Sequence, residues 1–320
     1  MRRHALALAV AAVALLARPA AAGPIAVSVV GDSISDYYYH YQGSSNPNAG
    51  GLPYWGSGGD RNWAEQLLKA HGSALTVYNY ALAGATTADD LNNGAAYKAA
   101  IRTKYFHASH AVVIAGSNDF LNYLNNPGSQ RAFLKGIAEN INGILTKIDT
   151  AGPVHLVVGN IPDLAVTPAM QGLLKDATAL GRLSDLIRAA NAGIADVARA
   201  HGAAVVDLFA LSHAAADGTL TLGGVDVPAN KLHAPDGFNP TTVLQGLLGN
   251  AVLAAFGDGI SGLRLSDQEI LTDARIAHAD SGPTFFDVSG FVHKTPEPAS
   301  AVLLALAVIG AGARYGRRKK

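Results

Sequence analysis

A serine follows directly on an apolar segment near the start of the chain, in the order Gly31-Asp32-Ser33. A serine at a tight turn from strand to helix points its hydroxyl into a cleft, and Gly31 permits such a turn. The hydroxyl becomes an effective nucleophile when a neighbouring base takes its proton. Taken alone, the motif equally fits a serine that caps a helix. The other residues that reach the same cleft therefore decide between these readings.

Three later segments have residue types that suit acyl transfer. Residues 79–87 contain Gly84, residues 116–119 contain Asn118, and residues 236–241 begin with Asp236. Cleavage of an ester needs donors for the oxyanion, and the backbone N–H groups of Ser33 and Gly84 with the Asn118 amide supply three. Taken singly, Gly84 fits a helix start and Asn118 fits a turn. Their order at successive predicted strand ends indicates one site.

Apolar, β-branched segments alternate with helix-period segments along the chain. The predicted strands are residues 25–30, 75–80, 111–115, 154–159 and 203–207. The predicted helices are residues 62–71, 88–105, 129–149, 180–201 and 241–256, with a short helix marked by the capping box Ser266 and Glu269. This alternation predicts an open parallel sheet covered by helices on both faces, with its site at the carboxyl ends of the strands.

The chain resembles the GDSL/SGNH hydrolases, and most of all their plant-lipase-like branch. The resemblance covers about residues 25–256 and is carried by the segments already named, with further likeness at residues 63–67, 157–162 and 167–168. It implies a flavodoxin-like three-layer α/β/α sandwich with a five-stranded parallel sheet. It also implies hydrolysis of acyl esters through a Ser33 acyl-enzyme, with Ser33, Gly84 and Asn118 as the oxyanion hole, Asp236 orienting the base, and no metal or cofactor.

One position departs from the family pattern, because Asn239 stands where the family has its catalytic histidine. A carboxamide has no basic lone pair and cannot replace an imidazole. Three explanations remain open. His233 swings into the site as the base; the protein is a weak or lapsed hydrolase that still binds its ligand; or His107 or His110 serves, although His110 is expected at the wrong end of the sheet.

Both ends of the chain have the composition of targeting segments. Residues 1–22 combine two arginines, an apolar run and an Ala-x-Ala site, which is typical of a signal peptide. Residues 296–320 resemble a PEP-CTERM sorting signal, with Pro-Glu-Pro, an apolar run over 299–313 and a basic end. That resemblance implies an exosortase-type processing enzyme, contact with the membrane through this segment, and a Gram-negative source. The expected division is a signal peptide at 1–22, a hydrolase domain at 23–256, an irregular extension at 257–295 and the sorting segment at 296–320.

The charge of the expected mature body differs from that of the whole chain. The chain has 24 basic and 24 acidic residues, and its two ends hold eight of the basic ones and one acid, so residues 23–295 have a net charge of −7. An acidic body without a basic cluster argues against a nucleic-acid partner. There is no cysteine, and a body of this size buries a core without disulfides.

The sequence therefore predicts an exported serine esterase or lipase, located in the cell envelope or outside the cell. Its ester substrate is an acylated carbohydrate or a lipid. An aromatic-rich segment after Ser33 either offers a surface for such a substrate or packs in part against the first helix. The aromatic residues are Tyr37, Tyr38, Tyr39, Tyr41, Tyr54 and Trp55. The alternative is a surface protein of the same fold, weak or inactive as an enzyme, that binds glycan or matrix.

Overall fold

The structure is a computed structural model that describes residues 24–36, 62–218, 220–280 and 282–294. The predicted signal peptide, the aromatic-rich segment and the predicted sorting segment lie outside these ranges. Within the described ranges no helix is both long and apolar enough to cross a membrane.

A central sheet organises the molecule, with the strand order β2-β1-β3-β4-β5-β8. Its strands are β1 (Ile25–Gly31), β2 (Leu75–Asn79), β3 (His110–Ile114), β4 (His155–Gly159), β5 (Ala204–Val206) and β8 (Val292–His293). The first five strands are parallel, which confirms the predicted flavodoxin-like arrangement. The sixth strand, β8, was not predicted and pairs antiparallel with the edge of β5. A separate hairpin joins β6 (Thr221–Leu222) to β7 (Val225–Asp226).

The strands form because almost every side chain in them is apolar and the sheet is covered on both faces. Val29 and Val112 point into one core cluster, whereas Val30 and Val113 point into the other, and all four are fully buried. The two clusters are the two outer interfaces of a three-layer sandwich. The predicted fold class is therefore confirmed.

Helices cover both faces of the sheet. They are α1 (Trp63–His71), α2 (Thr87–Asn92), α3 (Ala95–Phe106), α4 (Ser117–Asn125), α5 (Gln130–Asp149), α6 (Pro168–Leu174), α7 (Ala177–Ala200), α8 (Leu208–Ala216), α9 (Thr242–Phe256) and α10 (Asp267–Asp273). The single helix predicted over residues 88–105 is two helices, because Gly94 between them has a φ of 99°. The predicted capping box of Ser266 and Glu269 is present at the start of α10.

The segment after α9 contains more regular structure than the irregular extension that the sequence suggests. Ile260, Leu265 and Val288 are buried in the same core cluster as α9. The segment then reaches the sheet edge, where the backbone N–H of Asp207 donates to the carbonyl of Phe291 over 2.8 Å. Residues 257–294 thus pack onto the sandwich and extend its sheet.

Candidate active site

The turn that carries Ser33 begins where β1 runs very close to β3. A Cβ atom added at Gly31 would lie 1.9 Å from the carbonyl oxygen of Ile114, and Gly31 has a φ of 151°. Only glycine fits both the contact and the backbone angle. The Asp32 carboxylate then accepts from the backbone N–H of Ile34 over 3.0 Å, which closes the turn and leaves Ser33 half-buried.

Buried polar side chains from distant parts of the chain hold this turn. The amides of Asn62 and Asn79 donate to the Ser35 carbonyl over 2.8 and 2.6 Å, and the Trp63 indole donates to the Ser35 hydroxyl over 3.0 Å. The Gln245 amide donates to the carbonyl of Ile34 over 3.1 Å. Because α1, β2 and α9 all contribute, the position of Ser33 is fixed by the whole domain.

Ser33, Asn239 and Asp236 form a continuous hydrogen-bond chain. The Ser33 hydroxyl donates to Asn239 Oδ1 over 2.9 Å, and Asn239 Nδ2 donates to Asp236 Oδ2 over 2.7 Å. The other carboxylate oxygen of Asp236 accepts from the backbone N–H groups of Phe238 and Asn239 over 2.8 and 3.0 Å. Asn239 therefore occupies the place between nucleophile and carboxylate that a catalytic histidine takes in a serine triad.

The chemistry of the three side chains fixes which atoms donate and which accept in these hydrogen bonds. An ionised carboxylate only accepts hydrogen bonds, so the amide nitrogen of Asn239 must face Asp236 and its oxygen must face Ser33. A neutral imidazole in the same place also donates to the carboxylate and accepts from the serine. Asn239 thus reproduces the ground-state arrangement of the triad. It cannot take the proton when the serine attacks.

The histidines considered as alternative bases lie in different places. His233 lines the same pocket as Ser33 and Asn239, and its backbone pairs with that of Pro240. Burial lowers the pKa of His233, with the Asp236 charge opposing, so its imidazole is neutral near pH 7 and able to accept a proton. His110 pairs with Val27 at the start of β1, at the end of the sheet away from Ser33, and His107 ends α3 beside it. Neither of these two reaches the site.

The predicted oxyanion donors approach Ser33 from β2 and β3. The backbone N–H of Leu82 donates to the Gly31 carbonyl over 2.8 Å, and that of Ala83 donates to Asp36 Oδ2 over 2.8 Å, which ties the loop of Gly84 to the serine turn. Asn118 donates one amide hydrogen to the carbonyl of Ala85 over 2.9 Å. Its second amide hydrogen is left for an oxyanion.

A group of carboxyl side chains lies buried behind these donors. Burial raises the pKa of Asp32 to about 7. Burial, together with the charges of nearby carboxylates, raises the pKa of Asp90 to about 8. Burial also raises the pKa of Asp119, although its hydrogen bonds to Thr87 oppose this. One oxygen each of Asp32 and Asp90 has no hydrogen-bond partner. At neutral pH this group holds protons that exposed carboxylates have already lost.

An apolar pocket opens beside Ser33 and encloses about 620 Å³, including its mouth. We call it the acyl pocket. Ser33, Asn239 and His233 stand at its polar side. Its apolar walls are Leu164, Leu208, Leu211, Leu244 and Leu248, with Phe238.

A second, more open depression is lined by the loop of Gly84 and encloses about 1060 Å³, including its open mouth. We call it the polar cleft. Its walls combine backbone with polar side chains. The polar side chains are those of Asn79, Tyr80, Asp89, Asp90, Asn93 and Lys98. Among the residues that the structure describes, no group of three or more metal-ligating side chains is arranged to hold an ion.

Comparison with known proteins agrees with this arrangement. The sequence profile of the GDSL-like lipase/acylhydrolase family matches residues 27–252, more than two thirds of the chain. The chain therefore belongs to the GDSL/SGNH hydrolase family. No curated protein sequence matches it.

Several solved structures are similar to this chain at low identity. LAE5, an α/β hydrolase enzyme from the metagenome of Lake Arreo, Spain, is 17% identical with a TM-score of 0.47, covering 75% of this chain and 97% of that chain. Axe2, an acetylxylan esterase from Geobacillus stearothermophilus, is 14% identical with a TM-score of 0.45, covering 74% and 96%. A putative SGNH hydrolase from Slackia heliotrinireducens is 19% identical with a TM-score of 0.46, covering 73% and 100%.

Of the residues that the sequence singled out, the structure brings Ser33, Asn239, Asp236 and His233 together. The loop of Gly84 is bonded to the serine turn through Leu82, and Asn118 is bonded to Ala85 of that loop. Sequence reasoning missed Gln245 and the leucines of the acyl pocket. Gln245, Leu244 and Leu248 lie in α9, which is buried on all sides and has no apolar stripe to show which side chains face the site. Leu208 and Leu211 come from α8.

Proposed function

We propose that the protein is a slow acyl-ester hydrolase with Ser33 as its nucleophile. The observation that carries this proposal is the hydrogen-bond chain from Ser33 through Asn239 to Asp236, at the mouth of an apolar pocket. These hydrogen bonds hold the serine hydroxyl as a catalytic triad does, but Asn239, the middle residue, cannot become charged. Oxyanion stabilisation and substrate positioning alone leave a residual rate of roughly 10³ to 10⁴ over water in serine hydrolases without a working triad.

The reaction proceeds in two stages. Ser33 Oγ forms a bond to the ester carbonyl carbon, and the carbonyl oxygen becomes an oxyanion held by the N–H groups of Ser33 and Gly84 and by the Asn118 amide. The serine proton goes to solvent or to His233, the tetrahedral intermediate collapses, and the alcohol leaves after gaining a proton. Water then attacks the acyl-enzyme and releases the acid. Without an imidazole at position 239, both stages are slow.

The shape of the site supports an acyl group of moderate length in the acyl pocket and the alcohol part in the polar cleft. The substrate is then an acylated carbohydrate or an acylated lipid. The signal-like residues 1–22 and the sorting-like residues 296–320 support action outside the cytoplasm after export.

A second candidate is a surface protein that binds an acylated glycan or matrix without turning it over. Asn239 favours this candidate, because it keeps the hydrogen bonds of a triad but cannot act as a base. Such a site would bind the intact ester without cleaving it. The two candidates differ in whether Ser33 ever forms a covalent bond.

Hydrolysis of nitrophenyl butyrate by the full chain tests the proposal. The rate of the wild type minus that of Ser33→Ala should be small but measurable, and a fluorophosphonate should label the wild type slowly and Ser33→Ala not at all. Equal rates of hydrolysis for the two proteins, with no labelling, would contradict hydrolysis and favour the binding protein.

The base is identified by a second comparison. If His233 takes the proton, His233→Gln lowers the rate at least ten-fold, and the wild-type rate levels off above the lowered pKa of that imidazole. If solvent takes the proton, His233→Gln has little effect, and the rate continues to rise with pH as hydroxide becomes more abundant.

A further inference from the structure

Two cations of α3 stand at the polar cleft or next to it. Lys98 lines the cleft, and Arg102 lies one helical turn further along α3. No carboxylate of the described residues forms an ion pair with either of them. Both cations lie against Tyr80, a residue that lines the cleft.

The guanidinium of Arg102 is held rigidly. Its central carbon lies 4.4 Å from the centroid of the Tyr78 ring and 4.3 Å from that of the Phe106 ring. Its Nε donates to the Tyr80 hydroxyl over 2.6 Å, a bond that raises the pKa of Arg102 further. Stacking and this bond use the faces and one edge of the guanidinium. The terminal N–H groups keep their donors for a bidentate acceptor such as a carboxylate.

Lys98 adds a second positive charge at the same place. Its Nζ lies 5.9 Å from the centroid of the Tyr80 ring, whose hydroxyl contacts Arg102. Tyr80 and Gly84 line the same cleft. Lys98 is thus connected to the proposed oxyanion donor by one depression, and Arg102 adjoins that depression through Tyr80.

We propose that Lys98 and Arg102 bind a carboxylate on the alcohol part of the ester, and that this part is an acidic sugar of the uronate type. This inference rests on the proposed function, because it assigns the alcohol side of the same site. The cleft itself favours a sugar over a lipid headgroup. It is broad and open, and polar side chains such as those of Asn79, Asp89 and Asn93 line it rather than an apolar surface alone.

Two acidic side chains also line the cleft. Both oxygens of Asp89 accept hydrogen bonds, since Oδ2 accepts from the backbone and hydroxyl of Thr86 and Oδ1 accepts from the amide of Asn93, and its negative charge remains. Burial raises the pKa of Asp90 to about 8, which favours its neutral form at pH 7. The two positive charges of Lys98 and Arg102 then exceed the single negative charge of Asp89.

Binding is measured on the full chain with Ser33→Ala, so that no turnover is required. Isothermal titration with a hexamer of galacturonate should show binding that weakens at least ten-fold in Lys98→Gln with Arg102→Gln. Binding should also weaken as salt rises from 50 to 300 mM, conditions chosen to span roughly a two-fold change in Debye length. The matched control is Arg188→Gln, which removes a guanidinium stacked on Phe209 elsewhere on the surface and should leave binding unchanged.

Three results would overturn the inference. They are no binding of the uronate hexamer, equal binding by the double variant, and equal binding of a neutral galactose hexamer. Binding to phosphatidylglycerol vesicles without binding to the hexamer would also overturn it, and would assign the cations to a lipid phosphate. If the wild type shows no Ser33-dependent hydrolysis of nitrophenyl butyrate, that result contradicts the proposed function and not the role of the two cations. The reason is that this substrate makes no use of Lys98 or Arg102.

Discussion

The acyl pocket and the polar cleft differ in the side chains that line them. The acyl pocket beside Ser33 is walled mainly by leucines, with a smaller number of polar side chains. The polar cleft at the Gly84 loop is wider, and amides, carboxyl groups and a lysine line it. An ester with an apolar acid and a polar alcohol would match both cavities at once. Under the proposed function, the two halves of the ligand would therefore bind to surfaces of different polarity.

Asn239 lines the acyl pocket and lies between Ser33 and Asp236, and changing it should give the largest effect. In Asn239→His an imidazole can donate to Asp236 and take the proton of Ser33, so kcat for nitrophenyl butyrate should rise at least about 100-fold, the usual scale for general base catalysis. Steady-state kinetics measures this. An imidazole is longer than a carboxamide, so a crystal structure of the variant should accompany the rates.

Asn239→Asp serves as the control for this variant, because it has the same size as the wild type but places two carboxylates side by side. It should not raise the rate. A gain in both variants would mean that loosening of the loop, rather than imidazole chemistry, limits the wild type.

The acyl pocket should respond to enlargement with a change in acyl preference. Leu211→Ala removes a buried wall, so the ratio of kcat/KM for hexanoate to that for acetate should rise about ten-fold, given about 0.8 kcal/mol for each methylene buried. The same change should destabilise the domain by about 2 to 5 kcal/mol. Nitrophenyl ester kinetics and urea unfolding give the two values.

Leu145→Ala separates the two effects. Leu145 is fully buried in the core cluster on the other face of the sheet and does not line the acyl pocket. It should lose similar stability without a change in acyl preference. An equal shift in preference would show that general loosening, and not the pocket wall, sets chain length.

The polar cleft should show the smallest effect, as a dependence of stability on pH. Asp90 has a pKa raised from 3.8 to about 8, so its stabilising contribution is complete below pH 4 and is lost as pH rises from about 4 to about 8. Asp90→Asn removes this loss. The melting temperature should rise by about 5 °C at pH 8.5 and change little at pH 4, by calorimetry.

The neighbouring Asp89 provides a control of opposite sign. Its hydrogen bonds to Thr86, and secondarily to Asn93, lower its pKa, so its contribution is present at neutral pH and is lost as pH falls through the lowered pKa. Asp89→Asn should therefore lower the melting temperature at pH 8.5. If both variants shift the melting temperature at pH 8.5 in the same direction, the burial of Asp90 is not the cause of the pH dependence of stability.

Much of this architecture could be predicted from the sequence, because its signals are local. The five parallel strands are short apolar segments, and Ser33, Gly84, Asn118 and Asp236 follow strands or precede a helix in recognisable motifs. The sequence also places Asn239, three residues after Asp236, where the family motif has its histidine. The structure adds that Asn239 preserves the hydrogen bonds of a triad, which required the placement of its two amide atoms.

Other features depended on contacts between distant residues. Gln245 reaches Ile34 from a helix 211 positions further along the chain, and no local pattern marks that pairing. The break at Gly94 depends on a single backbone angle within a segment of good helix formers. The strand β8 is only two residues long, and it exists because the edge of β5 offers free backbone groups.

The position of β8 has a mechanical consequence. It lies at the end of the sheet, and β5, β4 and β3 separate it from β1, the strand that leads to Ser33. A force applied beyond His293 would first load the pairing of Val205 with His293 and that of Val206 with Val292. These hydrogen bonds would break before those between the interior strands. Tension at the carboxyl-terminal side would therefore separate β8 from the sheet before it displaced Ser33.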